Sequence, residues 1–312
     1  MAEIVISEFM EESAVAGLAA EFAVLYDPTL VDRPVELRRA LADARALILR
    51  NRTRVDRALL NAAPRLRVIG RLGVGLDNID LDACREQGIA VCPATGANDG
   101  AVAEYVLGTA LLLLRDLAGA TARMLAGEWP RRDFVGHELA GKTLGLLGYG
   151  RIARAVARRA AALEMHIAAH DPYIAPEDPA RQRVRSLPLE DLLAQADILS
   201  LHLPLTPETR HLLDARRIAR MKKGAVLIDT ARGGILDEEA LVAALREGRL
   251  AGAALDVFEE EPLTAETAAR FRDVPNLLLT PHIAGVTVES NRRVSRVTAE
   301  NVRWLLTSTD DE

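Results

Sequence analysis

The sequence predicts an α/β protein made of two doubly wound parallel-sheet domains with a cleft between them. Three observations carry this. Short apolar runs alternate with helix-spaced segments through the first third of the chain. A second series of the same units begins at Lys142. The length, 312 residues, suits two domains of ordinary size.

In the first series, Ile4–Ser7, Ala23–Tyr26, Ala46–Leu49, Leu66–Ile69 and Ala90–Cys92 read as strands rich in Ile, Val and Leu. Between them Val35–Ala42, Asp56–Ala62 and Leu81–Gln87 carry helix spacing with charged outer faces. Such alternation implies a parallel sheet covered on both faces. The turn-rich segment Pro93–Gly100 leads into Val102–Leu125, a single long helix that is apolar nearly all round. Such a helix must be buried, inside the chain or against a second subunit. The second series offers strands at Thr143–Leu147, His166–His170, Ile198–Leu203, Ala225–Asp229, Gly252–Asp256 and Leu277–Thr280, with a helix at Ala155–Leu163. Six strands with intervening helices fill a dinucleotide-binding sheet. Thr287–Leu306 is a further helical stretch. The cleft between two such domains is where a ligand is expected.

A formal net charge of −6 and a pI near 5.7 give no basic face of the kind a nucleic-acid binder needs. Met1–Ser7 reads as a strand rather than a leader, and the longest apolar stretch, Val106–Leu114, is too short to cross a bilayer. Cys84 and Cys92 have neither metal-ligand spacing nor a disulfide framework, which suits a reducing cytoplasm, and no metal site is expected.

The first chemical motif follows strand Thr143–Leu147 and reads Gly148-Tyr149-Gly150-Arg151-Ile152-Ala153. Gly148 permits a tight turn, Gly150 lets the backbone approach a pyrophosphate, and Ala153 is small enough for close helix–strand packing. The helix N-terminus that follows offers free N–H groups and a positive dipole end. Asp171 ends the next strand, 21 residues after Gly150, where an acid accepts hydrogen bonds from the adenosine ribose. A carboxylate there repels the 2′-phosphate of NADP, so the expected cofactor is NAD.

Three later loops carry polar residues that structure alone does not require: Thr230-Ala231-Arg232-Gly233-Gly234, Val257-Phe258-Glu259-Glu260-Glu261-Pro262 and Pro281-His282-Ile283-Ala284-Gly285. All three are expected at the carboxyl ends of strands, where open α/β sheets bind ligands. Hydride transfer at a 2-keto acid needs a proton donor and acceptor, and imidazole titrates in the right range, so His282 takes that role. Arg232 can hold a carboxylate in bidentate fashion. Glu261 can bond the far imidazole nitrogen and fix its tautomer. The other histidines, His137, His166, His170, His202 and His211, read as structural.

These segments, with Gly70-Arg71-Leu72-Gly73-Val74-Gly75-Leu76-Asp77-Asn78-Ile79-Asp80, Gly141-Lys142-Thr143-Leu144-Gly145, Ile235-Leu236-Asp237 and Gly252-Ala253-Ala254-Leu255-Asp256-Val257-Phe258, are highly specific as a set. The chain resembles the D-isomer-specific 2-hydroxyacid dehydrogenases over nearly its whole length, closest to short-form D-3-phosphoglycerate and (S)-3-sulfolactate dehydrogenases. The resemblance implies two Rossmann-like domains: residues 1–97 with 287–312 as the substrate (catalytic) domain, and 98–286 as the NAD-binding domain. It implies Arg232, Glu261 and His282 as the catalytic three. Arg151, Ile152, Thr230, Ala231, Asp256, His282, Ala284 and Gly285 would line NAD, with Asp256 facing the nicotinamide, and N–H groups around Val74 and Gly75 would meet the substrate carboxylate. It further implies a homodimer or larger assembly, joined through the cofactor domains.

The substrate loop reads Arg50-Asn51-Arg52-Thr53, and Arg71 is expected nearby. Two arginines in this loop suggest a strongly anionic group at carbon 3. Phosphoglycerate and (S)-3-sulfolactate stand level, with malate or tartrate behind; sulfur reverses the priority order, so the (S) label has the handedness of D-lactate. The alternative of another class is a non-catalytic NAD-sensing regulator on the same fold.

Overall fold

The computed structural model describes residues 2–175, 177–178 and 184–308. The chain divides into two compact units, Met1–Asn98 with Val286–Glu312, and Asp99–Gly285.

The first unit runs β1 (Ile4–Ile6), α1 (Glu12–Ala19), β2 (Val24–Tyr26), α2 (Pro34–Leu41), β3 (Ala46–Leu49), α3 (Arg57–Asn61), β4 (Val68–Arg71), α4 (Leu81–Glu86) and β5 (Ala90–Pro93). All five strands pair in parallel, in the order β2-β1-β3-β4-β5. The strand order reverses between β1 and β3, so the loops leaving those two strands flank the switch point where open sheets bind ligands. Residues of β1 and β3 are wholly buried, as strands covered on both faces must be. Expected and observed strands coincide except at their ends; β4 begins at Val68 rather than Leu66.

The second unit opens with α5 (Asp99–Arg115) and α6 (Leu117–Leu125), then runs β6 (Thr143–Leu147), α7 (Arg151–Ala162), β7 (His166–His170), β8 (Arg185–Ser186), α8 (Leu189–Gln195), β9 (Ile198–Leu201), α9 (Ala215–Arg220), β10 (Val226–Asp229), α10 (Glu238–Arg246), β11 (Gly252–Leu255) and β12 (Leu277–Leu279). Its seven parallel strands lie in the order β12-β11-β10-β9-β6-β7-β8. The reversal here falls between β6 and β9. The seventh strand, β8, is too short to leave a periodic signal.

The long helix expected over Val102–Leu125 is two helices. The chain breaks at Asp116, which has φ +43° and accepts a hydrogen bond from Gly119 N at 3.2 Å, capping the second helix. Within the chain α5 is the buried part, packing Val102, Val106, Ala110 and Leu113 into the core. No residue of α6 is buried. Among the described residues no helix is long and apolar enough to cross a membrane.

The last helix, α11 (Val288–Ser308), belongs to the first unit. Thr287 and Ser290 cap its start reciprocally, each side-chain oxygen accepting the other's backbone N–H at 2.8–3.0 Å. Its buried stripe of Val294, Thr298, Val302 and Leu306 lies on β4. Gly70 allows that approach: a Cβ there would stand 2.6 Å from Val302 Cγ2.

Candidate active site

Arg232, Glu261 and His282 lie in the loops that leave β10, β11 and β12, three neighbouring strands of one sheet. His282 Nδ1 is 2.8 Å from Glu261 Oε2, and Glu261 Oε1 accepts the Phe258 N–H at 3.0 Å. A carboxylate can only accept here, so Nδ1 carries the hydrogen and Nε2 is the nitrogen left for exchange. Burial pushes the Glu261 carboxyl up, but the His282 bond and charge, the Phe258 N–H and the Arg232 charge outweigh it and hold it below its ordinary range. Arg232 Nη1 donates to Ala231 O at 2.6 Å.

The loops are seated on one another. A Cβ on Gly233 would fall 1.7 Å from the Phe258 carbonyl oxygen, so only glycine lets the arginine loop lie against the glutamate loop. His282 sits in the left-handed region at φ +56°, its N–H given to Asp256 O at 2.9 Å and Thr280 O at 3.0 Å. That conformation costs an L-residue about 1–2 kcal/mol and needs support. The support is Asp256, 1% exposed, whose Oδ1 accepts the Ile283 N–H at 2.7 Å and the Thr280 hydroxyl at 2.6 Å. Its Oδ2 accepts the Ala284 N–H at 2.8 Å. With its own proton given to Asp256, the Thr280 hydroxyl receives that of Tyr105, 2.6 Å away on α5.

Two further buried acids, absent from the sequence-based set, hold the other loops. Asp229 Oδ1 accepts the Ala231 N–H at 2.8 Å, and burial pushes this carboxyl up to about 7. Glu238 Oε1 accepts the Glu259 N–H at 2.7 Å, and Arg270 pairs with its other oxygen at 3.2 Å. An acid closing the apolar run Val226-Leu227-Ile228 was a visible signal for Asp229. Glu238 was hidden, because acids at a helix start read as dipole partners.

The glycine loop follows β6 at the sheet's switch point. Gly148 has φ +87° and lies against the His202 carbonyl, where a Cβ would be at 2.6 Å. Beside Gly150 a Cβ would meet nothing within 4 Å, and no side chain caps the start of α7 there. Arg151 is exposed and pairs with Asp99 at 3.1 Å, while Ile152 packs against the core. Asp171 Oδ2 accepts the Tyr149 N–H at 2.8 Å, tying the glycine loop to the end of β7. Its Oδ1 accepts from Tyr173 N at 2.9 Å. The Thr230 hydroxyl oxygen is buried without a hydrogen-bond partner among the described residues, Ala231 and Ala284 are buried, and Gly285 is half-buried.

In the first unit, Arg50 Nη2 donates to Asn291 Oδ1 at 2.6 Å and its guanidinium lies 5.3 Å from the centre of the Phe9 ring. Burial lowers the Arg50 pKa, against the raising charge of Glu8. Asn51 is exposed. Arg52 is also exposed, its guanidinium bound to Asp32. Arg71 Nη1 donates to Leu72 O at 2.7 Å. Val74 is exposed and Gly75 half-buried in the loop after β4. Of the remaining histidines, His170 Nδ1 bonds Leu187 O and His202 Nε2 bonds Ser200 Oγ, each at 3.0 Å, while His211 Nε2 lies 3.1 Å from Glu259. No group of three or more metal-ligating side chains occurs among the described residues.

A glycine cradle at one switch point, and a histidine–carboxylate pair beside an arginine at neighbouring strand ends, define a nucleotide-dependent dehydrogenase. The chain belongs to the D-isomer-specific 2-hydroxyacid dehydrogenase family, whose NAD-binding domain matches residues 107–284. It is 57% identical to the (S)-sulfolactate dehydrogenase of Chromohalobacter salexigens, over 98% of this chain and 99% of that protein. It is 40% identical to the D-3-phosphoglycerate dehydrogenase of Mycobacterium leprae over 97% of this chain, but spans only 56% of that protein. The D-lactate dehydrogenase of Aquifex aeolicus, solved with NAD and lactic acid, superposes with a TM-score of 0.84 at 28% identity, covering 98% of this chain and 95% of that one. The chain is thus an NAD-dependent hydroxyacid oxidoreductase, and the open space beside Gly150, the uncapped start of α7 and the partnerless Thr230 hydroxyl fit that cofactor.

Proposed function

We propose that this enzyme interconverts (S)-3-sulfolactate and its 2-keto acid. The observation that carries the substrate is the 57% identity to an (S)-sulfolactate dehydrogenase along nearly the full length of both chains. The second unit holds NAD and the catalytic residues. The N–H groups at the start of α7 receive the pyrophosphate, Asp171 the adenosine ribose, and Thr230, Ala231, Asp256, Ala284 and Gly285 line the nicotinamide end. NAD, when bound, supplies the hydride acceptor. Arg232 grips the substrate carboxylate and polarises the adjacent oxygen. His282 Nε2 takes the proton of the carbon-2 hydroxyl during oxidation and returns it to the carbonyl oxygen during reduction, while Glu261 holds Nδ1 and the positive charge that appears on the ring.

Arg50, Asn51, Arg52, Arg71, Val74 and Gly75 make the remaining substrate contacts. Arg50 and Arg71 carry most of the pull on the distal sulfonate, because Asp32 already neutralises Arg52. The decisive assay follows nicotinamide absorbance with NAD and a panel of (S)-3-sulfolactate, 3-phosphoglycerate, D-malate and D-lactate. Sulfolactate should give the highest kcat/KM; a faster reaction with phosphoglycerate overturns the substrate, and inertness toward all four overturns the activity.

We also propose a cytoplasmic homodimer. Cys84 and Cys92 are free thiols that burial pushes up, Cys92 to about 11, so neither is a reactive thiolate at neutral pH. Leu111 on α5 and Leu117, Met124 and Leu125 on α6 are exposed apolar side chains suited to a second copy. A monomer mass by light scattering would exclude the dimer.

A further inference from the structure

The loop Arg50–Thr53 is held by an acid that lies outside every residue assigned above. The chain leaves β1 as Ser7-Glu8-Phe9, and the Glu8 side chain turns inward, only 5% exposed. Its Oε1 accepts the backbone N–H groups of Arg50 and Thr53, both at 2.9 Å, and its Oε2 accepts that of Arg52 at 3.3 Å. One carboxyl group thus gathers three of the four N–H groups of a four-residue loop. Asn78 closes the other side, Nδ2 donating to Arg50 O at 2.9 Å and to Thr53 O at 2.6 Å. Ser7 Oγ lies 3.0 Å from Thr53 Oγ1.

This clamp exceeds what chain connection needs. The helix that follows, α3, has its own cap, Asp56 accepting the Leu59 N–H at 2.9 Å. Burying an acid is costly unless its hydrogen bonds are made, and here they are made to this loop. The location is informative as well. Glu8 leaves β1 and the loop leaves β3, the two strands that flank the switch point of the first sheet.

We infer that Glu8 is the positioning residue of the substrate loop: it fixes the backbone of Arg50–Thr53 so that the Arg50 guanidinium, set over the Phe9 ring and bonded to Asn291, meets the substrate's anion without rearranging. Glu8 acts through Arg50 and touches no substrate itself. The inference rests on Arg50–Thr53 being the substrate loop, as proposed above. A loop already ordered binds tighter because the ordering entropy is not charged to the ligand.

The test uses Glu8→Gln and Glu8→Asp in the full-length enzyme. Glutamine keeps the length but has a single acceptor oxygen, so one side of the clamp meets an N–H group with another N–H group. Aspartate keeps the acid and loses reach. Amide hydrogen exchange over residues 50–53 is read beside steady-state kinetics and NAD binding. In Glu8→Gln, loop exchange should quicken ~10-fold or more and KM for the hydroxy acid rise ~10-fold, the scale of one or two lost hydrogen bonds. Turnover and NAD affinity should stay within ~3-fold, since ordering acts on binding rather than chemistry. Glu8→Asp should fall between, with the same split. Unchanged loop exchange in both variants overturns the role of Glu8 and leaves the substrate loop standing. Faster exchange with an unaltered KM shows instead that the loop does not hold substrate, and the assignment of Arg50–Thr53 falls.

Discussion

Replacing Glu261 by glutamine tests the chemistry most directly. The 2.8 Å bond to His282 Nδ1 is charge-assisted whenever the ring is protonated. Such bonds contribute ~1.5–3 kcal/mol when sheltered. Here the two side chains are 40% and 32% exposed, and solvent screening brings the value to the low end, ~1.5 kcal/mol. Glutamine's single oxygen can still accept the Nδ1 hydrogen, so the tautomer survives while the charge is lost; its NH2 then faces the Phe258 N–H, and that one loop bond is lost. The charge matters only as the imidazolium forms, so the whole loss should appear in turnover, ~10-fold in kcat. Glu261→Ala also frees the ring to rotate and should cost ~10²–10³-fold, within the range of general acid–base catalysis. Initial rates at saturating NAD and hydroxy acid, with NAD affinity from fluorescence, separate these effects. An unchanged kcat in Glu261→Gln would make the pair an exposed ion pair without catalytic role. A parallel fall in NAD affinity would show loop collapse instead.

Three other outcomes are expected. Gly233→Ala must push the arginine loop off Phe258, and should cut kcat/KM ~100-fold, the scale of a ~1 Å misplacement of a reacting group; wild-type rates would mean that Arg232 needs no fixed seat. Asp171→Ala should weaken NAD ~10-fold and narrow the gap to NADP, because an acceptor and a repulsive charge go together; an unmodified enzyme that already prefers NADP refutes the ribose assignment. Asp229 is the pH-sensitive group: its folded-state value near 7 lies above the ordinary 3.8, so the folded protein keeps a proton that the unfolded chain releases. Stability from this group is therefore complete below about 4 and is lost as pH rises toward about 7. Asp229→Asn keeps an acceptor for the Ala231 N–H and removes the ionisation, so its Tm should exceed wild type at pH ~8 and match it near pH ~4; equal melting at both would show that Asp229 is not desolvated.

Both parallel sheets, the glycine loop and the three polar loops at strand ends were legible because each is written locally, in apolar runs, paired glycines and polar residues after strands. The break at Asp116 was not, since helical spacing of apolar residues runs straight through it and one capping aspartate decides the matter. Nor does periodicity distinguish α5 from α6: leucines look alike whether they face a core or solvent. Arg52 read as a free cation because its partner, Asp32, stands twenty residues earlier on a different element. Glu8, and the anchoring bonds of Asp256, escaped for the same reason. Their N–H partners are 42–45 and 27–28 residues away, and only the order of the strands brings them together.

Those distant acids share a logic. The loops bearing Arg50, Arg232, Glu261 and His282 are each anchored by a buried carboxyl group: Glu8, Asp229, Glu238 and Asp256 respectively. A short loop at a strand end has N–H groups that no ladder satisfies, and they must be paired somewhere. A carboxyl group suits the task, because two oxygens with four lone pairs can gather several N–H groups that a hydroxyl or amide could not. Asp229 exposes the cost, since its neighbours Asp256 and Glu238 add repulsion to the burial that raises it to about 7. A protein selected for stability alone would place asparagine there. Retaining an acid in so unfavourable a place makes sense if loop geometry, and not stability, is what the position serves. On that ground substitutions at these four acids should do more damage than their distance from the reacting atoms suggests, to substrate binding at Glu8 and to turnover at Asp229, Glu238 and Asp256, and an amide replacement that stabilises the fold, as at Asp229, should not improve the enzyme.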